Sequence, residues 1–136
     1  MDAESIASFL NTSPANILGL SGFESQYGTS NIAQNYGNYF GLSYPFPGTG
    51  PVYNSPNGLS YSTYLNVDEV SGFVNSGLSF ALSDQGTKVN GADSPAAFVQ
   101  ALLAPTGPGA FNSTNPNYAS VLADAINFVQ RILNCL

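Results

Sequence analysis

The 136-residue chain contains no histidine and only one cysteine, Cys135. Without histidine, neither a Ser-His-Asp nor a Cys-His nucleophilic site can form, and zinc sites lose their commonest ligand. A single cysteine cannot form an internal disulfide. A phosphate-binding loop of the form G-x-x-x-x-G-K-[ST] is also absent from the sequence. We therefore expect no metal ion and no cofactor at the functional site.

Positive charge is equally scarce. Lys88 and Arg131 are the only cationic residues, and the formal net charge is −6. Nucleic acids and anionic lipid surfaces are bound by clustered cations, so we expect neither as a partner. No apolar run is long enough to span a membrane. The eight tyrosines and nine phenylalanines, with many serines and asparagines, fit a sugar-facing surface or an ordinary polar surface of low charge.

The start of the chain is acidic, Met1-Asp2-Ala3-Glu4, where a secretory signal has a basic region. We therefore predict that no signal peptide is present. A protein that lacks a signal peptide and acts outside the cytoplasm would be delivered by a carrier domain, a phage particle or a secretion system.

The length and the 43% apolar content predict one domain spanning residues 1–136, and we expect a monomer. Apolar spacing predicts roughly five or six helices. The first covers residues 2–10, with Ile6, Phe9 and Leu10 facing inward. Ser13-Pro14 caps the second, which runs to about Gln26. A turn or short helix is predicted at 31–35. Further helices are predicted after a capping box at 66–69, from Ser94-Pro95 and after Asn115-Pro116, and residues 86–93 are predicted as a loop.

Two of these helices have long predicted inner faces. The helix after residue 66 would bury Val67, Val70, Phe73, Val74, Leu78, Ala81 and Leu82. The last helix would bury Tyr118, Val121, Leu122, Ala125, Ile126, Val129, Ile132 and Leu133, although Tyr118 at its start could instead lie at the edge of a cleft.

Residues 44–64 have a different character, because prolines and glycines break any helix there. Val52-Tyr53-Asn54 and Leu59-Ser60-Tyr61 flank a turn at Pro56-Asn57-Gly58, which predicts a β-hairpin. Tyr44, Tyr53 and Tyr61 would lie on this small β-lobe. They are either stacking platforms for sugar rings or a cover over a thin core.

Glu24 is the one carboxylate between Ser5 and Val67. It follows the apolar residues Ile17, Leu20 and Phe23 in the last turn of a helix that should be buried, and Gly28 is expected to end that helix. Burial and the negative end of the helix dipole would both raise the pKa of such a carboxyl group. A carboxyl group that stays protonated near neutral pH can serve as a general acid; the alternative is a structural glutamate.

The segment around Glu24 resembles the signature of the N-acetylglucosaminidases of glycoside hydrolase family 73, which belong to the lysozyme-like superfamily. The first matching block contains Glu24, Ser25, Tyr27, Gly28 and Ser30, and the second runs from Tyr36 to Leu42, with Gly37 at one of two usual asparagine positions. Weaker matches follow in family order at residues 61–74 and 111–126. The resemblance covers about four-fifths of the chain.

The resemblance implies a mostly α (α+β) lysozyme-like fold in which the β-hairpin lobe forms one wall of a cleft. It implies a peptidoglycan-cleaving glycosidase with Glu24 as general acid and Tyr118 as a second catalytic residue. The predicted substrate-binding residues are Ser25, Tyr27, Asn38, Tyr39, Tyr44, Tyr53 and Tyr61.

Glycosidases usually need two carboxylates, but residues 41–66 contain neither aspartate nor glutamate. Three routes remain open. The 2-acetamido group of the substrate could act as an internal nucleophile, Asp68 or Glu69 could supply the second acid, or the enzyme could be a lytic transglycosylase or muramidase with one catalytic acid. Asp68 and Glu69 also fit simple capping of a helix start.

A different class of function is a non-catalytic glycan-binding protein or a component of a phage or secretion particle. An antibacterial toxin domain is a further reading that overlaps with the enzyme. The partners expected are therefore peptidoglycan glycan strands and, for a toxin, an inhibitor protein.

Overall fold

The computed structural model describes residues 2–64, 69–104 and 115–136. These residues form two compact units. The terminal unit comprises residues 1–20 and 84–136, and the central unit comprises residues 21–83. The described residues contain seven helices and one two-stranded sheet, which confirms the mostly helical α+β class. None of the helices in the described parts of the chain is both long enough and apolar enough for a membrane span.

The terminal unit is helical. It contains α1 (Ala3–Phe9), the first half of α2 (Pro14–Ser25), α5 (Asp84–Val89), α6 (Pro95–Leu102) and α7 (Tyr118–Leu133). Its core consists of large apolar side chains that are almost fully buried: Ile6, Leu10, Ile17, Leu20, Val89, Phe98, Leu102, Leu122 and Ile126. Gly19 lets α2 and α7 approach closely, because a Cβ atom there would lie 2.6 Å from the Ile126 Cα atom.

Two helix starts follow the predicted capping residues, whereas α7 starts after Asn117, which makes no side-chain capping bond, and not at the predicted cap Asn115-Pro116. The Ser13 hydroxyl accepts from the Asn16 amide (3.3 Å), and Pro14 is the first residue of α2. The Ser94 hydroxyl accepts from the Ala97 amide (3.2 Å) at the start of α6. Each hydroxyl satisfies an amide that has no partner within its own helix.

The central unit contains the end of α2, α3 (Asn31–Tyr36), β1 (Tyr53–Asn54), β2 (Ser60–Tyr61) and α4 (Glu69–Ala81). The strands pair antiparallel, with Tyr53 opposite Tyr61, as the hairpin pattern predicts. Phe40 and Phe80 stack in the core with ring centroids 5.6 Å apart, and both are fully buried.

Three inward predictions in α1 and α7 are wrong. Phe9 is 55% exposed, because Ile6, Ala7 and Leu10 form the inner face of α1 and Phe9 points to the side of it. On α7, Val121 is 43% exposed and Ile132 is 46% exposed, since the core needs only the stripe around Leu122 and Ile126.

The inner face of α4 is also different from the prediction. Leu82 is 67% exposed, and the helix buries Ser76 and Phe80 instead. Small residues occupy this face because the backbone of residue 37 is very close: a Cβ atom at Gly72 would lie 3.0 Å from the Gly37 Cα atom. Val67 lies outside the described residues.

Residues 86–93 are not the predicted loop throughout, because α5 covers Asp84–Val89. Its sequence, DQGTKV, is a weak helix former, but Gln85, Gly86 and Val89 are buried. Burial of Val89 in the core stabilises a short helix that propensity alone does not predict.

Candidate active site

Glu24 lies in the last turn of α2, and its side chain is half-buried. The helix ends one turn before Gly28. The Tyr27 amide donates to the Gly22 carbonyl (2.7 Å), and the Gln26 amide donates to the Phe23 carbonyl (3.4 Å). This pair of bonds is a Schellman motif, in which Gln26 takes the left-handed position that glycine usually fills. Glu24 as a whole residue is neither fully exposed nor fully buried.

The turn after Glu24 is strained. Gln26, Tyr27 and Gly28 have φ angles of 51°, 54° and 79°, so two side-chain-bearing residues adopt the left-handed region in succession. Such a conformation costs of order 1–2 kcal/mol per residue. Strained backbone of this kind is concentrated at functional sites, where surrounding contacts hold it in place.

Ser25 supplies part of that support. Its side chain is 1% exposed, and its hydroxyl donates to the Ser21 carbonyl (2.6 Å) and accepts from the Gly28 amide (2.9 Å). The predicted contact between Ser25 and substrate stays a prediction, but this geometry assigns the hydroxyl to the turn.

Residues 37–42, which we call the second-block loop, lie beside Glu24 in the central unit. Asn38 is fully buried, and its side-chain NH2 group donates to the carbonyls of Leu42 and Ser62, each at 2.9 Å. Its carbonyl oxygen accepts from the Leu42 amide (3.0 Å). Asn38 was predicted to bind substrate, and this role stays a prediction; its polar atoms hold the loop against the segment that follows β2.

The backbone of Tyr39 is held from two sides. Its carbonyl accepts from the Ser21 hydroxyl (3.0 Å), and its amide donates to the Ser76 hydroxyl (3.2 Å). Both serines are buried, with exposures of 4% and 0%. The Tyr39 ring lies between two glycines: a Cβ atom at Gly28 would be 3.4 Å from it, and a Cβ atom at Gly72 would be 3.2 Å from it.

Gly41 brings the two sequence blocks together. A Cβ atom on Gly41 would lie 2.6 Å from the Oε2 atom of Glu24. The loop then continues into the β-lobe, where the Leu42 carbonyl accepts from the Ser62 amide (3.0 Å) and the Tyr44 amide donates to the Ser60 carbonyl (3.0 Å). The carboxylate, the second-block loop and the hairpin are thus one connected arrangement.

The predicted tyrosine platforms fall into two groups. Tyr27 and Tyr44 are 60% and 61% exposed, so their rings are open to a ligand. Tyr53 and Tyr61 are half-buried, and Tyr53 stacks on Tyr36 with ring centroids 4.1 Å apart. One face of Tyr53 is therefore already covered by another ring.

Tyr27 is exposed, but one edge of its ring packs against α2. The ring edge carrying Cδ1 and Cε1 lies against the α2 backbone at Gly22, where a Cβ atom would be 2.9 Å from Cε1. The exposed part of the ring is available for stacking against a sugar ring.

The other predicted catalytic groups are less closely defined. Tyr118 is the first residue of α7 and is 1% exposed, so the structure places it in the core of the terminal unit. Asp68 lies outside the described residues, and Glu69 is described only as the first residue of α4. Catalytic roles for these three residues stay predictions.

Tyr64 is a titratable group of the central unit whose pKa is clearly perturbed. It is 1% exposed, and burial raises the pKa of its phenol above the ordinary value of 10, partly offset by a hydrogen bond with Ser79. The phenol donates to the Pro47 carbonyl (2.9 Å). In the described residues, no group of three or more Asp, Glu, Cys and His side chains could hold a metal ion.

Comparison with known proteins was made by sequence and by structure. No family model matches the chain, and no curated protein matches it. Among solved structures, a chain in a type VI secretion system effector–immunity complex from Pseudomonas protegens is 34% identical, with a TM-score of 0.77 over 98% of this chain and 86% of that chain.

Two more distant structures have the same fold. A peptidoglycan hydrolase from Sphingomonas sp. A1 is 20% identical, with a TM-score of 0.70 over 98% of this chain and 87% of that one. The glycoside hydrolase domain of Salmonella typhimurium FlgJ is 18% identical, with a TM-score of 0.66 over 97% of this chain and 84% of that one.

The fold is therefore that of the lysozyme-like glycoside hydrolases. The 34% identical relative and the joined motif blocks around Glu24 and Gly41 narrow the assignment from the fold to a family. The chain belongs to glycoside hydrolase family 73.

The sequence predicts the hairpin and proposes Glu24 as a site residue, but three residues beside Glu24 and Tyr39 were not predicted. Ser21 and Ser76 hold the backbone of Tyr39, and Gly41 borders the Glu24 carboxylate. The serines gave no signal because each lies in a helix among many similar residues. Gly41 belongs to the second motif block, but the motif does not indicate that the space beside its Cα atom is filled by the Glu24 carboxyl group.

Proposed function

We propose that this protein degrades peptidoglycan as a glycosidase, cleaving the β-1,4 glycan backbone in the manner of an N-acetylglucosaminidase with Glu24 as the general acid. One observation carries the proposal: the half-buried Glu24 carboxylate ends α2 and lies against Gly41 of the second-block loop. A protonated carboxyl group is what the leaving oxygen of a glycoside requires.

The central unit has three carboxylates in its sequence, Glu24, Asp68 and Glu69. We favour a route that uses only the first. Glu24 donates its proton to the glycosidic oxygen while the C1–O bond breaks, and the carbonyl oxygen of the 2-acetamido group forms a bond to C1. Water then attacks C1 and breaks the new bond between C1 and the acetamido oxygen, and a proton of that water passes to the Glu24 carboxylate.

The experiment is a digest of purified peptidoglycan with wild-type protein and with the Glu24→Gln variant, followed by mass spectrometry of the released fragments. New reducing ends at N-acetylglucosamine support the proposed reaction. Reducing ends at N-acetylmuramic acid would indicate a muramidase, and 1,6-anhydro ends a lytic transglycosylase. Glycan binding by wild-type protein without any cleavage would contradict the enzyme and favour a non-catalytic glycan-binding protein.

We also propose that the protein is an antibacterial effector that a secretion system delivers and that an immunity protein inhibits. The 34% identity to a chain in an effector–immunity complex supports this proposal. Wild-type protein exported to the periplasm of a Gram-negative host should lyse the cells, whereas the Glu24→Gln variant should not. If cells that are confirmed to express and export the wild-type protein grow normally, the effector proposal is contradicted.

A further inference from the structure

The space that a side chain at position 41 would fill is occupied by Glu24. A Cβ atom on Gly41 would lie 2.6 Å from Oε2, 3.3 Å from Cδ and 3.4 Å from Cβ of Glu24, and these are its three nearest neighbours. Other crowded glycines of the central unit approach different groups. Gly37 faces the Tyr64 backbone, and Gly48 faces the Thr63 backbone.

The second-block loop cannot easily retreat from the carboxylate. The Asn38 side chain joins it to the carbonyl of Ser62 (2.9 Å). The hydroxyls of Ser21 and Ser76 bond the carbonyl and the amide of Tyr39 (3.0 and 3.2 Å). A side chain added at residue 41 would therefore displace the flexible Glu24 carboxyl group, and reaching ordinary van der Waals contact takes a shift of roughly 0.8 Å.

We propose that Gly41 is a positioning residue: its missing side chain forms a slot that fixes the Glu24 carboxyl group. The consequence for catalysis rests on the proposed function, but the steric part does not. A general acid must lie within hydrogen-bond reach of the oxygen that it protonates. Misplacement of a reacting group by about 1 Å can lower the rate about 100-fold.

Stability measurements test the steric part. Gly41 has a φ angle of 62°, so Gly41→Ala adds backbone strain as well as crowding. Gly58→Ala is the matched control, because its φ angle is 85° and nothing lies within 4 Å of the added Cβ atom. We expect Gly41→Ala to lower the urea midpoint at least twice as much as Gly58→Ala does.

The same substitution in a Glu24→Ala background separates the two causes. Truncation of Glu24 removes Oε2 and Cδ and leaves only Cβ at the ordinary contact distance of 3.4 Å. The midpoint shift caused by Gly41→Ala should then fall to that of Gly58→Ala. An excess shift that persists without the Glu24 carboxyl group, or a double variant that does not fold, would overturn the proposal.

Kinetics test the catalytic part. With soluble glycan fragments, Gly41→Ala should lower kcat about 100-fold with KM nearly unchanged, whereas Gly58→Ala should retain both values. If wild-type protein cleaves nothing, the proposed function fails, and the stability cycle still decides whether Gly41 forms the slot. An unchanged kcat in an active Gly41→Ala variant would overturn the positioning role.

Discussion

Replacement of Asn38 by alanine tests whether this residue holds the second-block loop. The substitution removes two donated bonds, to the carbonyls of Leu42 and Ser62, and one accepted bond from the Leu42 amide. The Leu42 carbonyl keeps the Ser62 amide as a partner (3.0 Å), so two buried groups are orphaned: the Leu42 amide and the Ser62 carbonyl. At roughly 1–3 kcal/mol for each, we expect the free energy of unfolding to fall by about 2–6 kcal/mol.

The assay is urea unfolding followed by far-UV circular dichroism, which suits a chain without tryptophan. Asn35→Ala is the matched control, because Asn35 is exposed and bonds only along α3, to Asn31 (2.6 Å). That control should change stability by less than about 0.5 kcal/mol. If Asn38→Ala cost less than about 1 kcal/mol and raised KM instead, the structural role would be refuted and the predicted contact with substrate would be correct.

Three further predictions concern other parts of the molecule. Gly19→Ala should lower the free energy of unfolding by about 1–2 kcal/mol, because the cost of crowding against the Ile126 backbone exceeds the gain in helix propensity. An increase in the free energy of unfolding, measured in urea, would contradict the close approach of α2 to α7. Because the pKa of Tyr64 is raised in the folded protein, the unfolded chain loses the phenolic proton first, so the contribution of Tyr64 to stability is complete below pH 10 and is lost as pH rises through the raised pKa. In urea unfolding at alkaline pH, the Tyr64→Phe variant should lack this part of the loss of stability. The same alkaline profile for wild-type protein and variant would contradict the prediction. Tyr27→Ala should raise KM for soluble glycan fragments several-fold, whereas Tyr27→Phe should preserve it; equal KM values for all three proteins would exclude ring stacking.

Local signals in the sequence were sufficient for much of the fold. The Ser13-Pro14 and Ser94-Pro95 pairs each predict a helix start, because capping depends on residues that are neighbours in the chain. The turn around Gly58 likewise predicts the hairpin. Such features need no knowledge of what packs against them.

Features that depend on distant neighbours could not be predicted in this way. Leu82 is more apolar than Ser76, yet Leu82 is exposed, whereas Ser76 is buried and its hydroxyl accepts from the Tyr39 amide. The α5 helix forms around Val89 despite its weak propensity. Both outcomes depend on tertiary packing, which outweighs the apolar pattern of the segment itself.

The candidate site shows the same division. Glu24 stands out in the sequence because it is isolated from other acids, and the resemblance to a known family gives it a role. The left-handed conformation of Gln26 and the slot at Gly41 involve backbone geometry and contacts across the central unit. Residue types and spacing carry little information on either.

The central claim is that the Glu24 side chain donates the proton that breaks the glycosidic bond. The most direct measurement is the initial rate at which wild-type protein and the Glu24→Gln variant release soluble fragments from purified peptidoglycan, at equal folded concentrations confirmed by circular dichroism. Because glutamine keeps the shape but has no acidic proton to donate, we expect a rate at least about 100-fold lower for the variant. A folded Glu24→Gln variant with the wild-type rate would contradict the account.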